Sequence, residues 1–97
     1  MKSERLYIVT YDISDQKRWR QVFKTMKGYG EWLQLSVFQC RITQTRRAEM
    51  VAKLSNQIHQ DEDQVVIVDV GPADGVDIRI ESVGIPYTPI ERKAMIV

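Results

Sequence analysis

The order of strand-like and helix-like segments predicts an α+β domain, ferredoxin-like βαββαβ with an additional C-terminal strand, assembled as a two-fold homodimer with facing sheets. Three observations carry this expectation. Residues 6–12 and 65–70 are short runs rich in β-branched and aromatic side chains, apolar on both strand faces. Trp19, Val22, Phe23 and Met26 recur at i, i+3, i+4 and i+7, the spacing of one helix face. A helix layer covers only one side of a sheet, so in a chain of 97 residues the second apolar face is expected to be covered by another copy.

In the first strand, Leu6 and Ile8 share one face and Tyr7, Val9 and Tyr11 the other, and the run ends in Asp12. Ser14 or Asp15 can cap the helix after it, and Gly28 or Gly30 is expected to end that helix through a left-handed backbone. Between Trp32 and Ile42, Leu33, Leu35 and Val37 alternate with Trp32, Gln34, Ser36, Phe38 and Cys40. That is one long strand or two short ones, with a kink or tight turn expected near Ser36. A second helix is predicted from Thr43 or Thr45 to about Gln60, turning Met50, Val51, Leu54 and Ile58 inward. The acidic run 61–63 leads into the strand at 65–70, and residues 71–75 read as a loop. Val76, Ile78 and Ile80 alternate with Asp77, Arg79 and Glu81, the pattern of a half-exposed strand. Pro86 and Pro89 stiffen the segment from Gly84 to Ile90, and the last residues of the chain are apolar. The division expected is a domain over 1–83 and an extended arm over 84–97 that docks on the partner subunit.

A hydrophobic fraction of 43% and a charged fraction of 28% suit one small domain. The sequence has no apolar run long enough to span a bilayer, and a first strand from Leu6 leaves no room ahead of it for a secretory signal. Cys40, the single cysteine, excludes an intrachain disulfide. A cytoplasmic protein with no membrane partner is therefore expected. The net charge of +1 conceals a concentration: residues 15–27 carry Lys17, Arg18, Arg20, Lys24 and Lys27 against Asp15 alone. Concentrated positive charge on a mildly acidic body points to a polyanion, although a solvated helix face has the same composition.

Asp12 is the first candidate for chemistry. A carboxylate at a strand end can bind a divalent ion, and Mg2+ takes only one or two carboxylates while keeping several waters, so two copies of Asp12 meeting across a dimer axis would make one shared site. The bland reading is a turn or cap residue. Lys17, Arg20, Lys24 and Lys27 are spaced to share the helix face opposite Trp19 and Phe23, with Arg18 on the flank, and such a stripe suits a phosphate backbone. His59 is the only histidine and suits a surface or helix-end role; Cys40 suits a small core residue; Trp19, Trp32 and Phe38 suit packing better than base stacking.

Taken together, Tyr11-Asp12-Ile13-Ser14-Asp15, the basic helix with Arg18 and Arg20, residues 34–40 (Gln-Leu-Ser-Val-Phe-Gln-Cys) and Asp63-Gln64-Val65 resemble the small CRISPR-associated adaptation proteins, the Cas-two family, over nearly the whole chain. The resemblance implies homodimers of ferredoxin-like subunits with facing sheets and a C-terminal strand crossing to the partner. It implies Asp12 as the Mg2+ ligand, with Mn2+ as an alternative ion, and Tyr11, Arg18, Arg20, Ser36 and Phe38 as positions that support activity or wall the active site. It further implies endonuclease activity on single-stranded RNA or double-stranded DNA, and a second role in spacer acquisition, in which a larger CRISPR integrase subunit and duplex DNA are partners. Trp32 stands where many relatives have a basic residue, which leaves one phosphate contact unfilled, and Gln39 replaces an acidic residue. Three other readings stay open: a non-catalytic DNA-holding scaffold of the integrase complex, a ferredoxin-like dimer that senses a small molecule through an apolar inter-subunit pocket, and a stand-alone toxin-like ribonuclease.

Overall fold

The computed structural model describes residues 3–87. In chain order the elements are β1 (Glu4–Asp12), α1 (Gln16–Met26), β2 (Glu31–Gln34), β3 (Val37–Thr43), α2 (Gln44–Gln57) and β4 (Gln64–Pro72). They form one antiparallel sheet in the order β2-β3-β1-β4, the ferredoxin-like arrangement, with both βαβ halves contributing a central strand.

Strand alternation sorts the side chains as the sequence pattern requires. Tyr7, Val9 and Tyr11 of β1 and Phe38, Cys40 and Ile42 of β3 meet Val22 and Met26 of α1 and Met50 and Leu54 of α2 in one buried core. Removing each large side chain from water contributes on the order of 1.5–3 kcal/mol, the main return against chain entropy in so small a domain. Asp15 caps α1, accepting from Arg18 N at 2.9 Å, and Thr43 caps α2, accepting from Arg46 N at 3.1 Å.

Among the described residues, the opposite sheet face carries no helix. Ile8 pairs with Val68 and Gln39, and Thr10 with Val66 and Val37, so these residues lie together on it. Val66, Val68 and Val70 are 41%, 48% and 51% exposed. At one end of this face Leu6 is buried, where Arg41 across from it donates to Ala73 O at 3.1 Å and the chain beyond β4 turns back.

Of the two readings of residues 32–42, the structure takes two short strands, with the turn expected near Ser36 at Leu35-Ser36, and Leu35 takes φ 38°, a left-handed value that a branched residue adopts only in a constrained turn. Trp32 Nε1 donates to Leu35 O at 2.9 Å and helps hold it. Neither Gly28 nor Gly30 has a positive φ. The end of α1 is closed by Gly28, Tyr29 and Gly30 N–H groups returning to Thr25 O and Met26 O, and Gly30 is required for a different reason: a Cβ there would meet Gln39 O and Cys40 Sγ well inside contact distance. The fourth strand runs on through Gly71-Pro72, where the sequence pattern predicts a loop. A bulge opposite Leu6/Tyr7 and the positive φ of Gly71 let it continue, and on an edge strand Pro72 forfeits no ladder bond. The strand expected over 76–80 is absent: these residues take no regular structure, because alternation alone does not make a strand without a neighbouring strand to pair with. Val83 and Ile85 further on are 95% and 87% exposed. Of the expected arm over 84–97, residues 88–97 lie outside the described part.

Candidate active site and cationic helix face

The β1–α1 junction gathers most of the residues singled out from the sequence. Asp12 is the last residue of β1, paired in register with Gln64 at the start of β4. Its side chain is exposed, and none of the hydrogen bonds or ion pairs among the described residues engages it. Alternation from Ile8 and Thr10 puts it on the face without helices. No group of three or more His, Cys, Asp or Glu side chains that would cage a metal occurs among the described residues. One exposed, unengaged carboxylate nonetheless fits the hard-oxygen preference of Mg2+ or Mn2+, provided a second carboxylate comes from elsewhere.

Tyr11 and Phe38 lie beneath this junction rather than beside Asp12. Both are buried on the helix side, their rings stacked at 6.3 Å, and Tyr11 also packs on Trp19. The Tyr11 hydroxyl has no hydrogen-bond partner among the described residues, and burial pushes it up to about 12, so it stays protonated. Ser36 stitches the region: its Oγ accepts from Trp19 Nε1 at 2.8 Å and its carbonyl accepts from Tyr11 N at 3.1 Å, tying α1 and β1 to the turn before β3. Trp19, Phe23 and Trp32 continue the aromatic layer, with Trp19 on Phe23 at 5.2 Å and Phe23 on Trp32 at 5.8 Å. Cys40 is fully buried and its thiol is pushed up to about 12 by burial, which removes it as a nucleophile.

The cations separate into two groups. Lys17, Arg20 and Lys24 are exposed on α1 and enter no ion pair among the described residues. Lys27 is exposed too, but it stands over the Phe23 ring, 5.2 Å from its centroid, and so lies beside the aromatic layer instead of opposite it. Arg18 is half-buried and turns away from the stripe into an ion pair. Its Nε donates to Asp63 at 2.7 Å, and its Nη2 donates to Asp63 and Glu62, each at 3.2 Å. The Arg18 guanidinium holds the Asp63 carboxyl far below the usual carboxylate range against the opposing effect of burial, with His59 N and Ser14 N adding to the depression. In the sequence, residues 61–63 stand out as an acidic lead-in to a strand, and Asp63 as part of the family resemblance. The partnership of Asp63 with a helix 45 residues earlier had no local signal beyond the presence of opposite charges.

The fold and this junction define a class: a four-stranded ferredoxin-like domain with an unengaged carboxylate at the end of a central strand, a cationic helix following it and an apolar sheet face left open. The particular lineage is settled by comparison. Residues 5–75 match the family model of CRISPR associated protein Cas2, and the chain belongs to that family. It is 54% identical to CRISPR-associated endoribonuclease Cas2 1 of Rhodospirillum rubrum, over 98% of this chain and 93% of that one. It is 51% identical to CRISPR-associated endoribonuclease Cas2 of Geobacter sulfurreducens, over 97% and 99%. The fold is similar to the crystal structure of Streptococcus pyogenes Cas2, with a TM-score of 0.71 at 28% identity over 81% of this chain and 99% of that one. It is also similar to a hypothetical protein from Thermus thermophilus, with a TM-score of 0.70 at 30% identity over 90% and 99%.

Proposed function

We propose that this chain acts as a homodimeric, Mg2+-dependent endoribonuclease in CRISPR adaptation. The observation that carries the reading is Asp12, an exposed carboxylate that no neighbour among the described residues uses, at the end of a central strand and on the face that no helix covers. Relatives named CRISPR-associated endoribonuclease Cas2, more than half identical across almost the whole chain, support hydrolysis of RNA phosphodiester bonds. The exposed valines of β4 and the apolar residues Val83 and Ile85 beyond it support a second copy as the missing cover, because an isolated chain leaves them in water.

In such a dimer the two Asp12 carboxylates would hold Mg2+ or Mn2+. An ion held there would supply Lewis-acid polarisation of the scissile phosphate and would lower the pKa of a water, so that losing a proton leaves it nucleophilic. Lys17, Arg20 and Lys24 draw the phosphate backbone to α1, with Lys27 extending the cationic face. Tyr11 and Phe38 act from below by packing, keeping the end of β1 at fixed height over the core, and Ser36 locks that end to α1. Arg20 is the activity-supporting cation of the resemblance that remains free to meet a phosphate.

A second reading is favoured by the same cationic face: a DNA-holding subunit in spacer acquisition, partnered by a larger CRISPR integrase subunit, needs the dimer and the unpaired cations but no oriented water. One experiment separates them. Labelled single-stranded RNA and double-stranded DNA are incubated with wild-type and Asp12→Ala protein, with Mg2+ or with chelator. RNA cleavage lost in both controls, with the dimer intact by sedimentation, is the expected result. Cleavage surviving in Asp12→Ala would refute the metal assignment, and duplex binding without any cleavage would favour the scaffold.

A further inference from the structure

We propose that Asp63 is a positioning residue of this site, fixing the loop after Asp12, and that Arg18 serves this anchor rather than a substrate phosphate. The inference rests on the reading of Asp12 as the metal ligand. The Asp63 side chain has no exposure to solvent. Its two oxygens accept from Arg18 Nε at 2.7 Å, Arg18 Nη2 at 3.2 Å, Ser14 N at 3.2 Å and His59 N at 2.8 Å. Four N–H donors saturate a carboxylate, so Asp63 has no lone pair to offer a metal or a substrate proton. What it does is mechanical.

Asp12 is held from both sides. On the near side Tyr11 pairs with Val65 and donates its N–H to Ser36 O. Gln64, the residue after Asp63, lies opposite Asp12 itself. On the far side Ser14 N is bound by Asp63, two residues beyond Asp12, where the strand ladder has already ended. Among the described residues no other long-range hydrogen bond reaches the backbone of this segment, and the next restraint is the local cap of α1 by Asp15. Arg18 is likewise fixed at both ends, its main-chain N–H by Asp15 at 2.9 Å and its guanidinium by Asp63, with Glu62 at 3.2 Å on the outer edge. Turning the guanidinium outward to a phosphate would strand a buried carboxylate without its counter-ion, which is strongly disfavoured. Partners that orient a metal ligand typically set metal affinity by about 10- to 100-fold.

The test uses the full-length protein and Mn2+ as the probe, its binding measured by electron paramagnetic resonance in wild-type, Asp12→Ala, Asp63→Asn and Arg18→Lys proteins, with hydrogen exchange at Ser14 and Val9 followed in parallel. Asp63→Asn should bind Mn2+ about tenfold more weakly. It should also speed exchange at Ser14 by a similar factor while leaving Val9 in the core unchanged, and Arg18→Lys, which keeps the charge but not the forked geometry, should fall between. Should Asp63→Asn fail to fold, Arg18→Lys alone carries the comparison with wild type. Asp63→Asn and Arg18→Lys retaining wild-type affinity, while Asp12→Ala loses it, would overturn the positioning role and leave the metal assignment standing. Asp12→Ala retaining wild-type affinity would overturn the metal assignment and the proposal with it.

Discussion

Replacing Gly30 by alanine should cost more stability than any surface substitution, and the structure gives the size. A Cβ on Gly30 would sit 2.5 Å from Cys40 Sγ and closer still to the carbonyl oxygen of Gln39, both inside the 3.0 Å that real Cβ atoms essentially never breach. The carbonyl is backbone, held where Gln39 pairs with Ile8 on one side and Glu31 on the other, so it cannot swing aside. The thiol is fully buried, so it cannot move out into solvent. Overpacking of this kind costs up to about 3 kcal/mol. The entropy that alanine removes from the unfolded chain offsets about 0.4–1 kcal/mol. A net loss of about 2 kcal/mol results, large against the ~5–15 kcal/mol that stabilises a domain. In a chain of this size it lowers Tm by roughly 8–16 °C. Thermal and urea unfolding followed by circular dichroism, at one fixed protein concentration because a dimer's stability depends on it, would measure the loss. A change below about 0.5 kcal/mol, within the spread of neutral surface substitutions, would refute the close-approach argument. In a Cys40→Ala background most of the penalty should persist, since the backbone clash remains. Its disappearance would show that the thiol was the whole obstacle.

Three further outcomes are expected around the site. Reversing Lys24 and Lys27 to glutamate should weaken duplex binding and flatten the slope of log K against log salt by about 2, at roughly 0.9 for each phosphate no longer neutralised; a gel-shift titration across salt concentrations with an unchanged slope would reduce the cationic face to a solvated surface. Trp19→Phe removes the indole donor to Ser36 Oγ at 2.8 Å while keeping the stack on Phe23, and should cost about 1 kcal/mol in urea unfolding, the usual net worth of one hydrogen bond. The Asp63 carboxyl is depressed in the folded state, chiefly by Arg18, so its contribution to stability is complete above the unfolded carboxyl's value of about 3.9 and is lost as pH falls below it. Glu49, lowered first by the Tyr29 hydroxyl, acts in the same direction. Unfolding measured from pH 7 down to pH 2 should therefore show the gap between wild type and Asp63→Asn closing as acid is added, and a gap independent of pH would contradict the ion-pair account.

The local elements of this fold rest on periodicities within a few residues of each other. Period 2 in residues 6–12 separates Tyr7, Val9 and Tyr11 from Leu6 and Ile8, and the sheet keeps that separation. Period 3.6 in Trp19, Val22, Phe23 and Met26 marks α1, and an aspartate before it marks the cap. The two-sided apolarity of the first and last strands, Asp12 at the strand end and the crowding of cations after it were legible for the same reason: each is a property of a short segment. The other features could not be read locally, because they depend on which segments the sheet order brings side by side. Pairing β1 with β4 delivers Asp63 to Arg18 and withdraws that arginine from the cationic face. Pairing β2 with β3 presses the backbone of residue 30 against Gln39 and makes glycine necessary there for space, not for a left-handed turn. The alternating residues 76–80 form no strand, since an extended segment becomes one only when another strand supplies the partners for its N–H and C=O groups.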